Sequence, residues 1–326
     1  MTLKSNKPTF FDIESGGLSG HSSSIYSISF GSEGPVTSIY GAPFQNLWMS
    51  KWSDENVWEP IKKKSPKLVS EREALDRFIS HLEALPEGST LAGWNIGYQA
   101  QKQSMGESRL TGFDLPMLAT RAEPYGLSGR LSTAVERLKV RDIGQEYAVK
   151  MTKEAIQYPH LIEKNLYGQL EGYHKLISGM EAANPGIRDE EIARRLAISG
   201  KKVSGWKLED IHSAMFPDIA SKAHESEFDV ESVMRIFDSK KNIFSSEADV
   251  SKWAEKSRLR MLVNSAKFGK YSSTENLNPY VSALSEAASG VTASGSQLPD
   301  ISSKFKKELA EQVKTSGGSI EQVLAG

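Results

Sequence analysis

Hydrophobic and polar positions change rhythm several times along this chain, and each change predicts an element. "PTFFDIE" reads as a short buried strand, and "SGGLSG" after it reads as a turn. "SSIYSISFG" alternates as a second strand should, and "GPVTSIYG" predicts a third. Ser70, Glu71, Arg72 and Glu73 form a capping box. The helix it opens carries Leu75, Phe78, Ile79, Leu82 and Leu85 on one side. "STLAGWN" predicts a strand ending at Asn95, and "GFDLPML" starts a helix with Asp114 as its cap and Pro116 in the first turn. "LSTAVERL" is helical and "KVRDI" is a strand. Residues 146–207 read as helical, with Ile187, Ile192, Leu196 and Ile198 in one apolar set. "WKLEDIHSAMF" places Leu208, Ile211 and Met215 at helical spacing. A last helix in this part carries Val230, Val233, Met234 and Phe237 as its stripe. Strands first, then alternating helices and strands, then helices predict an α/β fold: a mixed sheet flanked by helices.

Two regions break the rhythm. Residues 42–68 hold Trp48, Trp52, Trp58 and the basic run Lys62, Lys63, Lys64, and read as an extended insertion or long loop. Its aromatic residues either pack the loop onto the core or present a stacking surface for bases. Beyond Phe237 the composition turns basic, with eight Lys or Arg against three acids in residues 240–270. That stretch either binds a polyanion backbone or is a solvated helix face. Residues 272–303 are rich in Ser, Ala and Gly and read as a flexible linker, and "SKFKKELAEQVKT" as a terminal helix. The expected organisation is a main domain over residues 1–240, with insertions at about 42–68, 96–112 and 146–205. Residues 241–326 then supply the basic helical segment, linker and last helix. No internal repeat is visible.

Charge narrows the function without naming it. Forty Lys and Arg nearly balance forty-one Asp and Glu, so no global basic field points to nucleic acid. A nucleic-acid enzyme is still allowed, because bound cations can neutralise phosphates in place of side chains. No apolar run approaches the roughly 20 residues that span a bilayer, and the N-terminus shows no apolar signal core. A cytoplasmic protein is the expectation. Cysteine is absent, which excludes disulfides, thiol catalysis and cysteine-ligated zinc.

Candidate chemistry begins on the first strand. Residues two apart on a strand share a face, so Asp12 and Glu14 project together while Phe11 and Ile13 face the other way. Carboxylates this close repel unless one is protonated or a cation lies between them. Oxygen donors from several segments suit Mg²⁺ or Mn²⁺; a strand end in solvent is the plain alternative. Gly16 and Gly17 allow a tight turn and close approach of a ligand to the main chain, and Leu18 is placed to wedge against a base. Asp114 and Asp229 are the further acids at helix starts. Asp229 either caps its helix with Ser226, at Ser-x-x-Asp spacing, or faces the same site, and His224 lies on the turn before it.

"DIESGGL", "GWN…GFDLPML" and "HESEFD" resemble, in order, the exonuclease motifs of the DnaQ-like (DEDDh) 3′→5′ exonucleases, over about residues 9–237. The resemblance implies a ribonuclease H-like fold and two-metal hydrolysis of a nucleic-acid 3′ end. It makes Asp12, Glu14, Asp114 and Asp229 the ligands of two divalent cations, Mg²⁺ or Mn²⁺, and His224 the general base. It also implies substrate contacts from Ser15, Gly16, Gly17, Leu18, Asn95 and Phe113. The chain departs from the family pattern by inserting "IGYQAQKQSMGESRLTG" between Asn95 and Phe113, so Asp114 qualifies only if that insertion loops out. "GWNI" and "FDLPML" are similar to the corresponding motif of B-family polymerases once it is removed. The expected substrate is DNA, with proofreading as one role and a replication or repair protein as a partner. An exoribonuclease, or a non-catalytic nucleic-acid-binding protein on the same fold, are the alternatives.

Overall fold

A computed structural model describes residues 7–42, 53–64, 68–101, 108–110, 112–162, 164–201, 207–216, 218–219, 222, 224–239, 244 and 246–255. The expected basic segment is therefore described only in part, and the linker and terminal helix lie outside the described residues. Two compact units emerge, one of Met1–Glu154 with Gly172–Ile243, the other of Ala155–Glu171 with Phe244–Gly326.

The first unit is built on a six-stranded mixed sheet. Strands β1 (Thr9–Ser15), β2 (Ile25–Gly31) and β3 (Thr37–Ala42) run antiparallel in turn. The short β4 (Val69–Ser70) adds parallel to β3, β5 (Thr90–Gly93) adds parallel to the other side of β1, and the order is β4-β3-β2-β1-β5. A small hairpin, β6 (Gln99–Gln101) and β7 (Ser108–Leu110), stands apart, and β8 (Lys139–Asp142) completes the sheet beside β5. β1 is thus central, with partners on both edges.

Helices cover the sheet. Within the stretch expected as an extended insertion or long loop, the described residues 54–64 are helical: a wide helical turn, Asp54–Trp58, runs into α1 (Glu59–Lys64) with Pro60 in its first turn. Trp58 and Val57 are buried with Ile61 against Tyr26, so for Trp58 the packing alternative holds; Trp48 and Trp52 lie outside the described residues. Helix α2 (Glu71–Ala84) starts where the capping box predicts, with the Ser70 side chain accepting the Glu73 N–H. Then come α3 (Asp114–Ala122), α4 (Ser128–Glu136), α5 (Ile143–Ala155), α6 (Lys164–Ala183), α7 (Asp189–Ile198), α8 (Leu208–Met215) and α9 (Ser226–Ser239).

Period-two alternation sorts the two faces of β1. Phe11 and Ile13 point into the main core, against Phe78, Leu75 and Ile79 of α2, Leu115 and Leu118 of α3 and Leu131 of α4. Phe10 points the other way, where its ring meets Phe237 of α9 at 5.3 Å. Within the same unit, Ile177 of α6 and Ile192 and Leu196 of α7 bury against Ala148 and Val149 of α5. In the second unit residues 247–255 are helical, and Phe244 packs on Trp253. Among the described residues no helix is long and apolar enough to cross a membrane.

Candidate metal centre

The acidic pair on β1 lies on the α9 face of the sheet. Asp12 is paired across the ladder with Ser29, and Glu14 with Ser27, so the carboxylates follow Phe10 along the strand under the first turns of α9. Asp229 comes from that helix. One carboxylate oxygen from each of Asp12, Glu14 and Asp229 lies within 4.8 Å of the others. Asp114 is outside this trio but close enough for its charge to act on Asp12 and Glu14.

The insertion before Asp114 does loop out. It forms the β6–β7 hairpin, and the chain closes beneath it where Asn95 O accepts the Phe113 N–H (2.9 Å) and Ile96 O the Leu115 N–H (3.1 Å). Gly97 (φ 97°) and Gly112 (φ 89°) pass so closely there that a Cβ on Gly112 would collide with the Gly97 backbone. Asp142, at the end of β8, fastens one side of this closure by accepting the N–H groups of Asn95 (2.9 Å) and Gly97 (3.1 Å). Asn95 is held at φ 63°, a left-handed conformation that asparagine tolerates. Asp114 thus emerges buried, 4% exposed, as the first residue of α3. It is not the cap: Phe113 takes that position without a side-chain bond, packed on the main core.

The loop after β1 is pinned on both flanks. The Gly16 N–H donates to Ser24 O (2.9 Å), the Ser15 hydroxyl to Gly17 O (2.7 Å), and Arg121 Nη1 to Gly20 O (3.2 Å). A Cβ on Gly16 would sit 2.6 Å from the Tyr26 hydroxyl, so a larger residue there would force Tyr26 or the loop to shift. Between these anchors Leu18 stands out at 90% exposed. The Ser15 side chain is thus engaged inside the loop, while Leu18 and the half-buried Gly17 face outward.

His224 lies on the turn before α9 with φ 67°, and its backbone N–H donates to Asp229 Oδ2 (3.3 Å). Asp229 therefore does both jobs the sequence left open: it satisfies a backbone N–H at the helix start and joins the β1 acids. Ser226 does not cap. It is the first helical residue, and its hydroxyl meets Ser27 and Ser29 of β2.

Electrostatics set this centre apart. Burial pushes the Asp12 carboxyl well above the usual range, and Asp114, Asp229 and Glu14 push it further. Burial, then Asp229 and Asp114, raise Glu14 in the same way. Burial lifts Asp229 to about 7, with Glu209 and Glu225 adding to the rise and the His224 N–H opposing it. Asp12 Oδ2 is buried without a hydrogen-bond partner. His224 is lowered, first by desolvation and then by Lys207, against Glu209; as a residue it is still exposed, so a neutral imidazole stays within reach of water. An all-oxygen donor set with an unpartnered buried carboxylate oxygen fits a hard divalent cation.

Sequence reading missed the hydroxyls beneath this site and the anchoring role of Asp142. Ser27 and Ser29 carried a signal, as polar residues at alternate positions of an otherwise apolar strand. No protein-family model matches this chain, and no curated protein matches it in sequence.

Proposed function

We propose that this chain is a divalent-cation-dependent 3′→5′ exonuclease of the DnaQ-like class, on a ribonuclease H-like fold, acting on the 3′ end of DNA. The observation that carries the reading is the meeting of Asp12, Glu14 and Asp229 from separate elements, with the backbone N–H of His224 donating to Asp229. The central β1, antiparallel to β2 and parallel to β5, is compatible with that fold. Asp12, Glu14 and Asp229 would hold Mg²⁺ or Mn²⁺, with Asp114 adding charge beside them. Cations held there would supply electrostatic stabilisation of the scissile phosphate and of the departing 3′ oxygen. His224, kept neutral by its lowered pKa, accepts a proton from the water whose oxygen bonds to phosphorus as the bond to the 3′ oxygen breaks. Leu18, exposed on a pinned loop, packs against the terminal base.

The test is a time course on 5′-labelled single-stranded DNA and matched RNA with Mg²⁺, Mn²⁺ or chelator. Stepwise shortening of DNA from the 3′ end, lost in chelator, in Asp12→Asn and in His224→Ala, is expected. Shortening of RNA alone would reassign the substrate, and no shortening of either strand with either cation would sink the activity.

A further inference from the structure

Asp229 is brought toward Asp12 and Glu14 on a different element, although like charges at this range repel. Something must hold the first turn of α9 down and in register. Burial of Val230, Val233 and Ile236 fastens the helix to the sheet, but apolar burial is non-directional and does not by itself fix register. Hydroxyls supply the direction. Ser226 Oγ lies 2.7 Å from Ser27 Oγ and 2.7 Å from Ser29 Oγ, and Ser29 Oγ lies 2.8 Å from Ser38 Oγ. Ser27, Ser29 and Ser226 are 1%, 0% and 3% exposed, so water cannot readily take over these contacts.

Two periodicities then tie this cluster to the acids. Ser27 and Ser29 are two apart on β2 and share a face, and their partners across the ladder are Glu14 and Asp12. Ser226 and Asp229 are three apart on α9 and share a helix face. Seating Ser226 between the two β2 hydroxyls therefore places Asp229, most of a turn later, beside the carboxylates of β1. A shift of α9 along the strand by one residue would break both contacts of Ser226 and carry Asp229 away from the pair.

We infer that Ser226, seated on Ser27 and Ser29, is the positioning residue of the acidic site, setting the register of α9 so that Asp229 completes the cation ligands begun by Asp12 and Glu14. This rests on the reading of that trio as a divalent-cation site. It adds that cation affinity depends on residues that never touch the ion.

Mn²⁺ binding to the full chain, followed by electron paramagnetic resonance of the free ion, tests this alongside thermal unfolding in chelator. The variants are Ser226→Ala, the Ser27→Ala/Ser29→Ala pair, all three together, and Asp12→Asn as the site control. Ser226→Ala is expected to weaken Mn²⁺ binding about tenfold, in the range seen when groups that orient metal ligands are removed. The β2 pair should weaken it similarly, and the triple variant little more than either, because all three hydroxyls act through one contact set. A merely structural role would lower the unfolding temperature and leave affinity per folded molecule unchanged. Should Ser226→Ala fail to fold, Ser27→Ala alone, which keeps the Ser29 contact, is expected to weaken binding measurably but by less than about tenfold. Wild-type affinity in the serine variants, with binding lost in Asp12→Asn, would overturn the positioning role and leave the cation site standing. Absence of Mn²⁺ binding in the wild type would overturn both.

Discussion

Glu71 and Asp12 both carry carboxylates into the interior of the same unit, and the fold treats them in opposite ways. Glu71, 2% exposed, receives Arg121 through Nε (2.9 Å) and Nη2 (2.6 Å), the Tyr125 hydroxyl (2.7 Å) and the Ile25 N–H (2.8 Å). Its charge is answered on every side, and Tyr125 is itself pushed up to about 12, by burial first and then by Glu71. Asp142 is an intermediate case, 1% exposed and answered by the backbone N–H groups of Asn95, Gly97 and Gln145. Around Asp12 the charges that act on it are other acids, and Oδ2 has no hydrogen-bond partner. A buried acid that serves the fold comes with its donors. The β1 acids instead come with competitors for the proton, which suits a centre whose counter-charge arrives from outside.

Single substitutions can break this contrast. Glu71→Ala leaves Arg121 buried without its carboxylate and is expected to cost about 3–5 kcal/mol in urea unfolding. Asp12→Asn, measured in chelator at pH 8, is expected to leave stability level or raise it, because it removes a carboxyl whose ionisation burial and the neighbouring acids oppose. Equal losses from both substitutions would mean that the β1 acids are a structural cluster. Asp142→Asn sharpens the middle case. It turns an acceptor of backbone N–H groups into a partial donor and should cost about 1–3 kcal/mol, again in unfolding by urea.

The pH dependence follows from the raised carboxyls. Asp12, Glu14 and Asp229 hold protons more tightly in the folded chain than in the unfolded one. Their contribution to stability is full below about pH 4, the unfolded carboxylate value, and for Asp229 is lost as pH rises through about 7. In chelator the unfolding free energy should therefore fall between pH 5 and pH 8, by at most about 1.4 kcal/mol per pH unit for each proton released, and Asp12→Asn should flatten the slope. A rise over that interval would contradict the raised values. The smallest effect belongs to Leu18→Ala, expected to change stability by less than about 0.5 kcal/mol, since the side chain is 90% exposed. Its loss should be read instead as a higher KM on single-stranded DNA.

Much of this was written in local patterns. Alternation placed β1, β2 and β3, and put Asp12 and Glu14 on one face, because a strand's side chains repeat every second residue. The Ser70 capping box fixed the start of α2, because cap and N–H lie within one turn. What escaped depended on contacts distant in sequence. Residues 54–64 are helical where Trp58 finds Tyr26, a partner that residues 42–68 do not contain. Asp114 looked like a cap, but the closure beneath the hairpin makes it the first residue of α3. Ser226 had the spacing of a cap and spends its hydroxyl on Ser27 and Ser29 of β2, 199 and 197 residues earlier in the chain. Nothing local distinguishes those two uses of one serine.

Thermal unfolding at pH 8 with increasing Mn²⁺ addresses the contrast between answered and unanswered acids most directly. A cation that binds only the folded chain stabilises it by about 2.7 kcal/mol at a hundredfold excess over Kd. The wild type should rise steadily with Mn²⁺, Asp142→Asn should rise in parallel from a lower start, and Asp12→Asn should stay flat. A parallel rise in Asp12→Asn, or no rise in the wild type, would contradict a cation site built on the acids of β1.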